Sequence, residues 1–190
     1  MSAPDAVYPL ELPERFNLCA YFLDRNLDEG RGDKVAVRVG GEARTYREIH
    51  EGVRRMAAAL RDAGVRPEDR VLIVLPDGFE FVEAWFATLR VGAVFAMVNP
   101  LLKAKDFEQY LAYTRATAVF THTSVLPEIA GALRGSSHGP RAFVVGDDAG
   151  GFTPYEQARE AADPDGDAAA LAATGPDDIA GWLFTSGSTG

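Results

Sequence analysis

The sequence contains one cysteine, Cys19, in 190 residues. A single cysteine excludes an internal disulfide bond, so we expect a reducing compartment and a cytoplasmic location. Cys19 shares one predicted helix face with Phe16 and Leu23, and Asn17 is placed to cap that helix. We therefore interpret Cys19 as a small buried hydrophobe and not as a nucleophile.

Long apolar runs are also missing from the sequence. No stretch approaches the roughly 18 apolar residues that a membrane-spanning helix needs. Residues 1–15, which we interpret as an extended arm, carry prolines and acids where a signal peptide would be apolar. We expect neither a membrane segment nor a leader.

Basic residues are fewer than acidic ones, with 19 Lys and Arg against 28 Asp and Glu and a net charge of −9. This excess opposes nucleic acid and anionic membranes as partners, although it does not oppose a nucleotide bound by backbone N–H groups. The histidines are scattered and have no cysteine cluster beside them, so we expect no metal site. They are His50, His122 and His138.

Strands and helices are predicted to alternate along the middle of the chain. Apolar runs that are typical of buried strands begin at Val71, Val94, Ala118 and Ala142, 23 or 24 residues apart. This spacing is the length of a strand plus a crossover helix, so it predicts an α/β fold with a mainly parallel sheet flanked by helices. Ligands of such sheets bind beyond the carboxyl ends of the strands.

Turn and cap signals locate several further elements. Two short β runs, Val35–Val39 and Glu42–Thr45, are predicted to pair as a hairpin around the Gly40-Gly41 turn. Three helices are predicted to begin with a capping box, in which an N-cap side chain is paired with a Glu three residues later. The pairs are Thr45 with Glu48, Asp77 with Glu80, and Thr153 with Glu156.

The chain divides into four predicted segments. Residues 1–15 are the arm, and 16–162 form an α/β N-terminal subdomain. Residues 163–178 are rich in Asp, Ala, Gly and Pro and predict a solvated acidic connector, and 179–190 predict a strand that runs into a loop.

In the last segment, three large apolar residues precede a run of only Gly, Ser and Thr. Trp182-Leu183-Phe184 is typical of the end of a buried strand. In the run that follows, glycine permits close approach, so N–H groups and hydroxyls can converge on a phosphate. The spacing differs from the G-x-x-x-x-G-K-[ST] loop, and composition alone also fits a flexible Ser/Gly tail. The candidate phosphate-binding residues are Thr185, Ser186, Gly187, Ser188, Thr189 and Gly190.

The order of residues in the stretch 184–190 resembles the phosphate loop of the adenylate-forming superfamily, which includes acyl-CoA synthetases, adenylation domains of peptide synthetases and luciferases. The lead-in 176–180 is similar to that of the family, as are the segment 89–94 and the Asn99-Pro100 turn. The resemblance covers the chain from about residue 16. In the family the loop continues into a Pro-Lys-Gly or similar run, which is not in this sequence.

The opening segments point to one branch of this superfamily. Residues 16–18, Asn26-Leu27 and 30–34 look most like benzoate-CoA ligases and related aryl-CoA ligases. The resemblance therefore implies that a carboxylic acid, expected to be aromatic and benzoate-like, is the substrate.

The family resemblance implies a two-step reaction. The carboxylate attacks the α-phosphorus of ATP to form an acyl-adenylate, and coenzyme A then takes the acyl group. Residues 185–190 would surround the β- and γ-phosphates, and Mg²⁺ is expected with the ATP. The family's catalytic and metal-binding residues lie beyond this loop, so none is assigned in these 190 residues.

The same resemblance implies that the chain is the N-terminal portion of a longer enzyme and is inactive alone. Its expected partners are the small-molecule substrates and the C-terminal part of the same enzyme, and a homodimer is left open. Two alternatives also stay open: an adenylation domain that loads an acid onto a carrier-protein thiol, and a non-catalytic N-terminal scaffold module.

Overall fold

The computed structural model describes residues 12–184. Their first sheet is a two-stranded antiparallel hairpin of β1 (Val35–Val39) and β2 (Glu42–Thr45). The observed bounds are the predicted ones. Val39 pairs with Glu42 across the two-glycine turn.

The second sheet has six strands, and all of its described pairings are parallel. In chain order the strands are β3 (Arg70–Val74), β4 (Val94–Met97), β5 (Ala118–His122), β6 (Arg141–Val145), β7 (Thr153–Pro154) and β8 (Gly181–Trp182). Their spatial order is β7-β6-β5-β3-β4-β8. The predicted α/β fold with a mainly parallel sheet is confirmed.

Helices join these strands and cover both faces of the sheet. They are α1 (Arg25–Asp28), α2 (Tyr46–Asp62), α3 (Phe79–Arg90), α4 (Ala104–Thr114), α5 (Leu126–Gly135) and α6 (Tyr155–Ala161). None of the helices in the described range 12–184 combines the length and apolar character needed to cross a bilayer.

The core lies in two layers, one on each face of the sheet. Val71 and Ile73 of β3 pack with residues of α2 and α3, whereas Leu72 and Val74 pack with residues of α4 and α5. Because both faces of β3 are buried, its sequence is an unbroken branched apolar run instead of an alternating one.

The N-terminal helical segment is fixed to α3 by Asn17. Its Oδ1 accepts a hydrogen bond from the backbone N–H of Cys19 at 2.9 Å, which confirms the predicted cap. Its Nδ2 donates to the carbonyl oxygen of Leu89 at 2.9 Å. A π-helical turn, Ala20–Asp24, then leads into α1.

The capping box of α2 is confirmed. The Thr45 side chain accepts from the Glu48 backbone N–H, and the Glu48 carboxylate accepts from the Thr45 backbone N–H at 2.7 Å. The predicted apolar face of this helix is buried, as Ile49, Val53 and Met56 show.

The two other predicted capping boxes are wrong. Helix α3 begins after Gly78 with no side-chain cap, and Asp77 stays exposed. Thr153 does not cap α6, because the backbone of Thr153 and Pro154 pairs with β6 and becomes β7. Pro154 therefore occupies the N-cap of α6, where it offers no side-chain oxygen.

The predicted connector, 163–178, is mostly exposed, but its backbone is attached to two helices. Arg61 of α2 donates from Nη1 to the carbonyl oxygens of Ala168 and Ala170, at 2.9 and 2.8 Å. Arg90 of α3 donates from Nε to the carbonyl oxygen of Ala169 at 2.7 Å. Composition indicated solvation and missed this attachment; the domain boundaries themselves stay a prediction.

Candidate functional site

The carboxyl ends of the parallel strands form one edge of the molecule, and β8 ends there. In the register of β8 with β4, Gly181 lies opposite Phe95 and Trp182 lies opposite Ala96. Because the two strands are parallel, the chain leaves β8 at the edge where ligands of open α/β sheets bind.

The aromatic residues that end β8 pack on α4. The ring centroids of Phe184 and Tyr110 are 4.7 Å apart, and those of Trp182 and Tyr113 are 5.9 Å apart. These contacts fix the direction of the chain up to Phe184.

The six predicted phosphate-binding residues begin immediately after Phe184. Thr185, Ser186, Gly187, Ser188, Thr189 and Gly190 lie outside the described residues. Their role stays a prediction.

Close packing fixes the start of β8. The phenyl ring of Phe95 lies against the α-carbon of Gly181, and a β-carbon at this position would overlap the ring. Only glycine lets β8 pair with β4 at this separation. The lead-in to β8 is held by Asp178, whose Oδ2 accepts from the Gly175 backbone N–H at 2.7 Å.

The turn after β4 lies at the same edge of the sheet. The Oδ1 of Asn99 accepts a hydrogen bond from the Leu101 backbone N–H at 2.9 Å, which closes the predicted turn. Lys103 follows, with its side chain 76% exposed and its Nζ 3.1 Å from Glu128. It is a positive charge at the carboxyl edge, on the side of α4.

A cleft lies at the carboxyl edge where β3 and β5 meet. Their outgoing helices, α3 and α5, lie on opposite faces of the sheet, and such a switch opens a crevice. The cleft has a volume of about 480 Å³ and lies between the Gly40-Gly41 turn and residues 76–80. Its charged lining residues, Glu42, Asp77 and Glu80, are all acidic, so this cleft disfavours a polyphosphate.

His122 borders that cleft, and its ring is already hydrogen-bonded. The Ser124 backbone N–H lies 3.1 Å from Nδ1, and the Ser124 hydroxyl lies 2.8 Å from the same nitrogen. A backbone N–H can only donate, so Nδ1 accepts and the neutral ring carries its proton on Nε2. His122 is therefore a polar residue whose Nδ1 is satisfied within its own turn.

A buried charged cluster around Glu83 was not predicted. The Glu83 side chain is fully buried; its Oε1 accepts from Arg44 at 2.8 Å, and its Oε2 accepts from Tyr155 at 2.9 Å and from Arg159 at 3.1 Å. Burial raises the pKa of Glu83 against the opposing pull of Arg159, Tyr155 and Arg44. Burial and the Glu83 charge also raise the pKa of Tyr155 well above its usual value.

The Glu83 cluster joins β2, α3 and α6, and α2 packs on it through Gly52. A β-carbon at Gly52 would overlap the Glu83 carboxyl group. A glutamate between Val82 and Ala84, within the otherwise apolar stretch 81–87 of α3, was the available sequence signal. The cluster's role is to hold these elements together, since it lies in the core and away from the end of β8.

Cys19 is fully buried, as predicted. Burial, with the nearby Asp24 charge, raises the pKa of its thiol to about 12. A thiol of this kind carries almost no thiolate at neutral pH, so it is not a nucleophile.

No group of three or more His, Cys, Asp or Glu side chains that could hold a metal ion occurs within residues 12–184. The described part of the chain supplies the end of β8, the Asn99 turn and Lys103 to the carboxyl edge.

Comparison with known proteins identifies relatives over most of the chain. The sequence profile of the family described as AMP-binding enzyme matches residues 23–190. The 4-hydroxybenzoate–CoA/benzoate–CoA ligase of Rhodopseudomonas palustris is 33% identical over 175 residues, which are 92% of this chain and 32% of that ligase.

Solved structures agree with this result. A benzoate CoA ligase from Burkholderia xenovorans LB400 has a TM-score of 0.79 and 35% identity, over 88% of this chain and 32% of its own. An anthranilate CoA ligase in complex with anthranoyl-AMP has a TM-score of 0.85 and 26% identity, over 94% of this chain and 34% of its own. The chain thus spans about a third of the length of these relatives.

Proposed function

This chain belongs to the AMP-binding enzyme family, and we propose that it is the N-terminal portion of an ATP-dependent acid–CoA ligase. The observation that carries the proposal is the family match over residues 23–190, which includes the Gly/Ser/Thr loop. The names of the relatives support it, because they are ligases that join benzoate, 4-hydroxybenzoate or anthranilate to CoA.

The proposed reaction has two displacement steps. An oxygen of the substrate carboxylate attacks the α-phosphorus of ATP. The bond between the α-phosphorus and the oxygen that bridges it to the β-phosphorus breaks, and pyrophosphate leaves. The CoA sulfur then attacks the acyl carbon while its thiol proton passes to solvent, and AMP leaves with the electron pair of the broken bond between the acyl carbon and the phosphate oxygen. The anthranoyl-AMP held by the anthranilate ligase is an acyl-adenylate of the kind that the first step produces.

The loop's proposed role is to position and stabilise the leaving pyrophosphate. Backbone N–H groups of residues 186–190, with the hydroxyls of Thr185, Ser186, Ser188 and Thr189, would donate to the β- and γ-phosphate oxygens. The placement of β8 supports this role, since the described chain reaches the carboxyl edge at Phe184, next to the first loop residue.

Mg²⁺ is proposed to accompany the ATP and to be bound mainly by its phosphate oxygens, as Mg²⁺ usually is in nucleotide sites. Residues 12–184 contain no group of three or more His, Cys, Asp or Glu side chains that could hold a metal ion, and no metal-binding residue is assigned among them. Coenzyme A likewise has no site assigned in this part of the enzyme.

We propose an aromatic carboxylic acid as the substrate. Its support is the three relatives described above, whose names specify benzoate, 4-hydroxybenzoate and anthranilate and which match 88% or more of this chain. Acetyl-coenzyme A synthetases match only about half of it. We retain the division into an arm (1–15), an α/β subdomain (16–162), a connector (163–178) and a strand with its loop (179–190). The need for ATP and CoA favours the cytoplasm.

The test uses the full-length enzyme and measures the exchange of labelled pyrophosphate into ATP with benzoate, 4-hydroxybenzoate, anthranilate and acetate. We expect exchange with at least one aromatic acid, and formation of its thioester when CoA is added. Absence of exchange across the panel contradicts the proposal. Transfer to a phosphopantetheinylated carrier protein, and not to CoA, would identify the adenylation-domain alternative.

Loop variants connect that activity to the proposed residues. In the full-length enzyme, Gly187→Val should lower the rate of exchange by about 10²-fold or more, because it obstructs phosphate donors at the transition state. Ser137→Ala is the matched control, because it lies in another Gly/Ser run (135–137), which ends α5 at the opposite edge of the sheet. Robust exchange by the 190-residue chain alone would contradict its predicted inactivity.

A further inference from the structure

A polar cavity opens at the amino edge of the parallel sheet, opposite the edge where β8 ends. Its volume is about 620 Å³, which is in the range of small-molecule sites. The charged residues in its lining are all basic, namely Arg115, His138 and Arg141, and we call these three residues the amino-edge basic site. Their charge is opposite in sign to the net charge of the chain, which is −9.

Strand pairing brings the amino-edge basic site together from two loops. Arg115 follows α4 and leads into β5, and Arg141 is the first residue of β6, which is the neighbour of β5 in the sheet. The backbone N–H of Arg141 donates to the carbonyl oxygen of Thr117 at 3.0 Å, which places the two arginines on adjacent strand starts. His138 lies in the turn that leads into β6.

The two guanidinium groups have no partner in the part of the chain that the structure describes. Within residues 12–184, neither Arg115 nor Arg141 forms an ion pair or donates a side-chain hydrogen bond. Asp62 lines an adjoining groove together with Arg141, but the two side chains are not paired. By contrast, the exposed Arg25 is paired with Glu29. The cavity therefore contains two positive charges that are free to bind an anion.

Arg115 occupies a backbone position that favours glycine. It is the C-terminal cap of α4 and lies in the left-handed region, with φ 49° and ψ 43°. Helices commonly end on glycine at such a position, because side chains rarely adopt this conformation. A long cationic side chain at this point is accounted for by a ligand that it binds, since local chemistry favours a different residue.

We propose that the amino-edge basic site binds a small anion that carries two or more phosphate groups. A guanidinium can donate two parallel N–H groups to one phosphate, so two arginines suit a ligand with two such groups. The ring of His138 and the hydroxyls of Thr117 and Thr153 line the same cavity and add donors. The net charge of the chain repels long polyanions such as nucleic acid, which favours a ligand that fits inside the cavity.

The amino-edge basic site is separate from the proposed nucleotide site. Strand β5 (Ala118–His122) runs between the two edges of the sheet, and its five residues span about 16 Å. A pyrophosphate group is much shorter than this distance, so one such group cannot bind at both edges. The inference therefore goes beyond the proposed function and does not depend on it.

The experiment measures how an anion protects individual arginines in the full-length enzyme. Phenylglyoxal, which modifies arginine side chains, is added with and without millimolar pyrophosphate at constant ionic strength, and each position is followed by peptide mass analysis. Arg38 is the matched control, because it is exposed on β1 and does not line the cavity. Constant ionic strength removes general screening as a cause of protection.

We expect pyrophosphate to slow the modification of Arg115 and Arg141 by about tenfold or more and that of Arg38 by less than about twofold. Equal effects at the three positions overturn the proposal. The same protection by sodium chloride in place of pyrophosphate also overturns it.

A variant shows whether the two arginines bind one anion. In Arg141→Gln, the pyrophosphate concentration that half-protects Arg115 should rise by about tenfold or more, whereas Arg38→Gln should leave it unchanged. Unchanged protection of Arg115 in Arg141→Gln overturns the proposal, because the protection would then arise elsewhere in the enzyme.

The loop variant Gly187→Val separates the amino-edge basic site from the proposed nucleotide site. Protection of Arg115 and Arg141 should persist in this variant, even where pyrophosphate exchange is lost. Protection that disappears with Gly187→Val overturns the inference, because the effect would then come from the loop. Protection of both arginines in an enzyme that shows no exchange with any acid leaves the inference standing and contradicts the proposed function.

A comparison of ligands identifies the source of the phosphate groups. Half-protection by pyrophosphate and by ATP at similar concentrations supports a site that binds the phosphate groups alone. Half-protection by ATP at a concentration about tenfold lower supports a nucleotide ligand. Inorganic phosphate that protects as well as pyrophosphate overturns the requirement for two phosphate groups.

Discussion

The phenyl ring of Phe95 lies against the α-carbon of Gly181, so the first residue of β8 has no room for a side chain. This contact connects the packing of β4 to the strand that leads to the predicted phosphate loop. A change at Gly181 should therefore affect nucleotide binding, although the residue itself is not expected to contact the nucleotide.

Gly181→Ala should separate β8 from β4, because the new methyl group overlaps the ring. In the full-length enzyme we expect a loss of about 1–3 kcal/mol in the free energy of unfolding and a higher KM for ATP. Urea unfolding and pyrophosphate exchange measure the two effects.

Two further variants control this prediction. Gly131→Ala, on α5, meets no atom within 4 Å and should stabilise that helix by up to about 1 kcal/mol. Adding Phe95→Leu to Gly181→Ala reduces the overlap and should restore part of the ATP affinity. An unchanged KM in Gly181→Ala would show that β8 does not position the loop.

The hydroxyl of Tyr155 is one of three donors to the buried carboxylate of Glu83. Tyr155→Phe removes that donor and leaves Oε2 with Arg159 alone, so we expect a loss of about 1.5–3 kcal/mol in the free energy of unfolding. Tyr113→Phe makes the same chemical change at a side chain that is 71% exposed and should stay within about 0.5 kcal/mol. Similar effects of the two changes in urea unfolding would contradict the assigned role of the cluster.

The hairpin and the parallel sheet were predictable because their signals are local. A two-glycine turn between β runs defines β1 and β2, and the branched run at Val71 requires a strand that is covered on both faces. The Glu83 cluster was not predictable, because Tyr155 lies 72 residues and Arg159 lies 76 residues along the chain from Glu83. Only the folded sheet brings α6 beside α3.

The capping errors have a similar origin. A Thr–Pro–Tyr–Glu run favours an N-cap at Thr153 by local chemistry, but the backbone of Thr153 and Pro154 pairs with β6 and becomes β7, the edge strand of the six-stranded sheet. For the candidate site, the order of residues from Thr185 to Gly190 suggested the phosphate loop through its family resemblance. The structure adds the direction of β8 and the Phe184 packing, which lead to that loop.

Cys19 should be unreactive while the protein is folded. With a thiol pKa of about 12, roughly one molecule in ten thousand carries the thiolate at pH 8, and the side chain is fully buried. Iodoacetamide should therefore label Cys19 only after unfolding by urea, at a rate at least 100-fold higher than in the native protein. Fast labelling at Cys19 without urea, located by peptide mass analysis, would contradict the burial of this helix face.

The stability that Asp24 provides should depend on pH. Burial raises the pKa of Asp24, but the hydrogen bond from His50 and the charge and hydrogen bond of Arg90 outweigh it, so the pKa lies below its usual value of 3.8. Because the unfolded chain binds this proton more readily, the contribution is fully present above about pH 4 and is lost as pH falls through the folded-state pKa.

Asp24→Asn removes this contribution and leaves Arg90, which is 8% exposed, without its carboxylate partner at 2.8 Å. At pH 6 to 7 we expect a loss of about 3 kcal/mol in the free energy of unfolding. The difference from the unchanged protein should shrink as pH falls below about 4, because protonated Asp24 no longer pairs with Arg90.

Asp33→Asn is the control variant: it breaks an exposed ion pair with Arg47 and should lower the free energy of unfolding by less than about 1 kcal/mol. Urea unfolding between pH 3 and 7 measures these values, and a difference for Asp24→Asn that stays constant down to pH 3 would show that the Arg90 pair does not depend on the Asp24 charge.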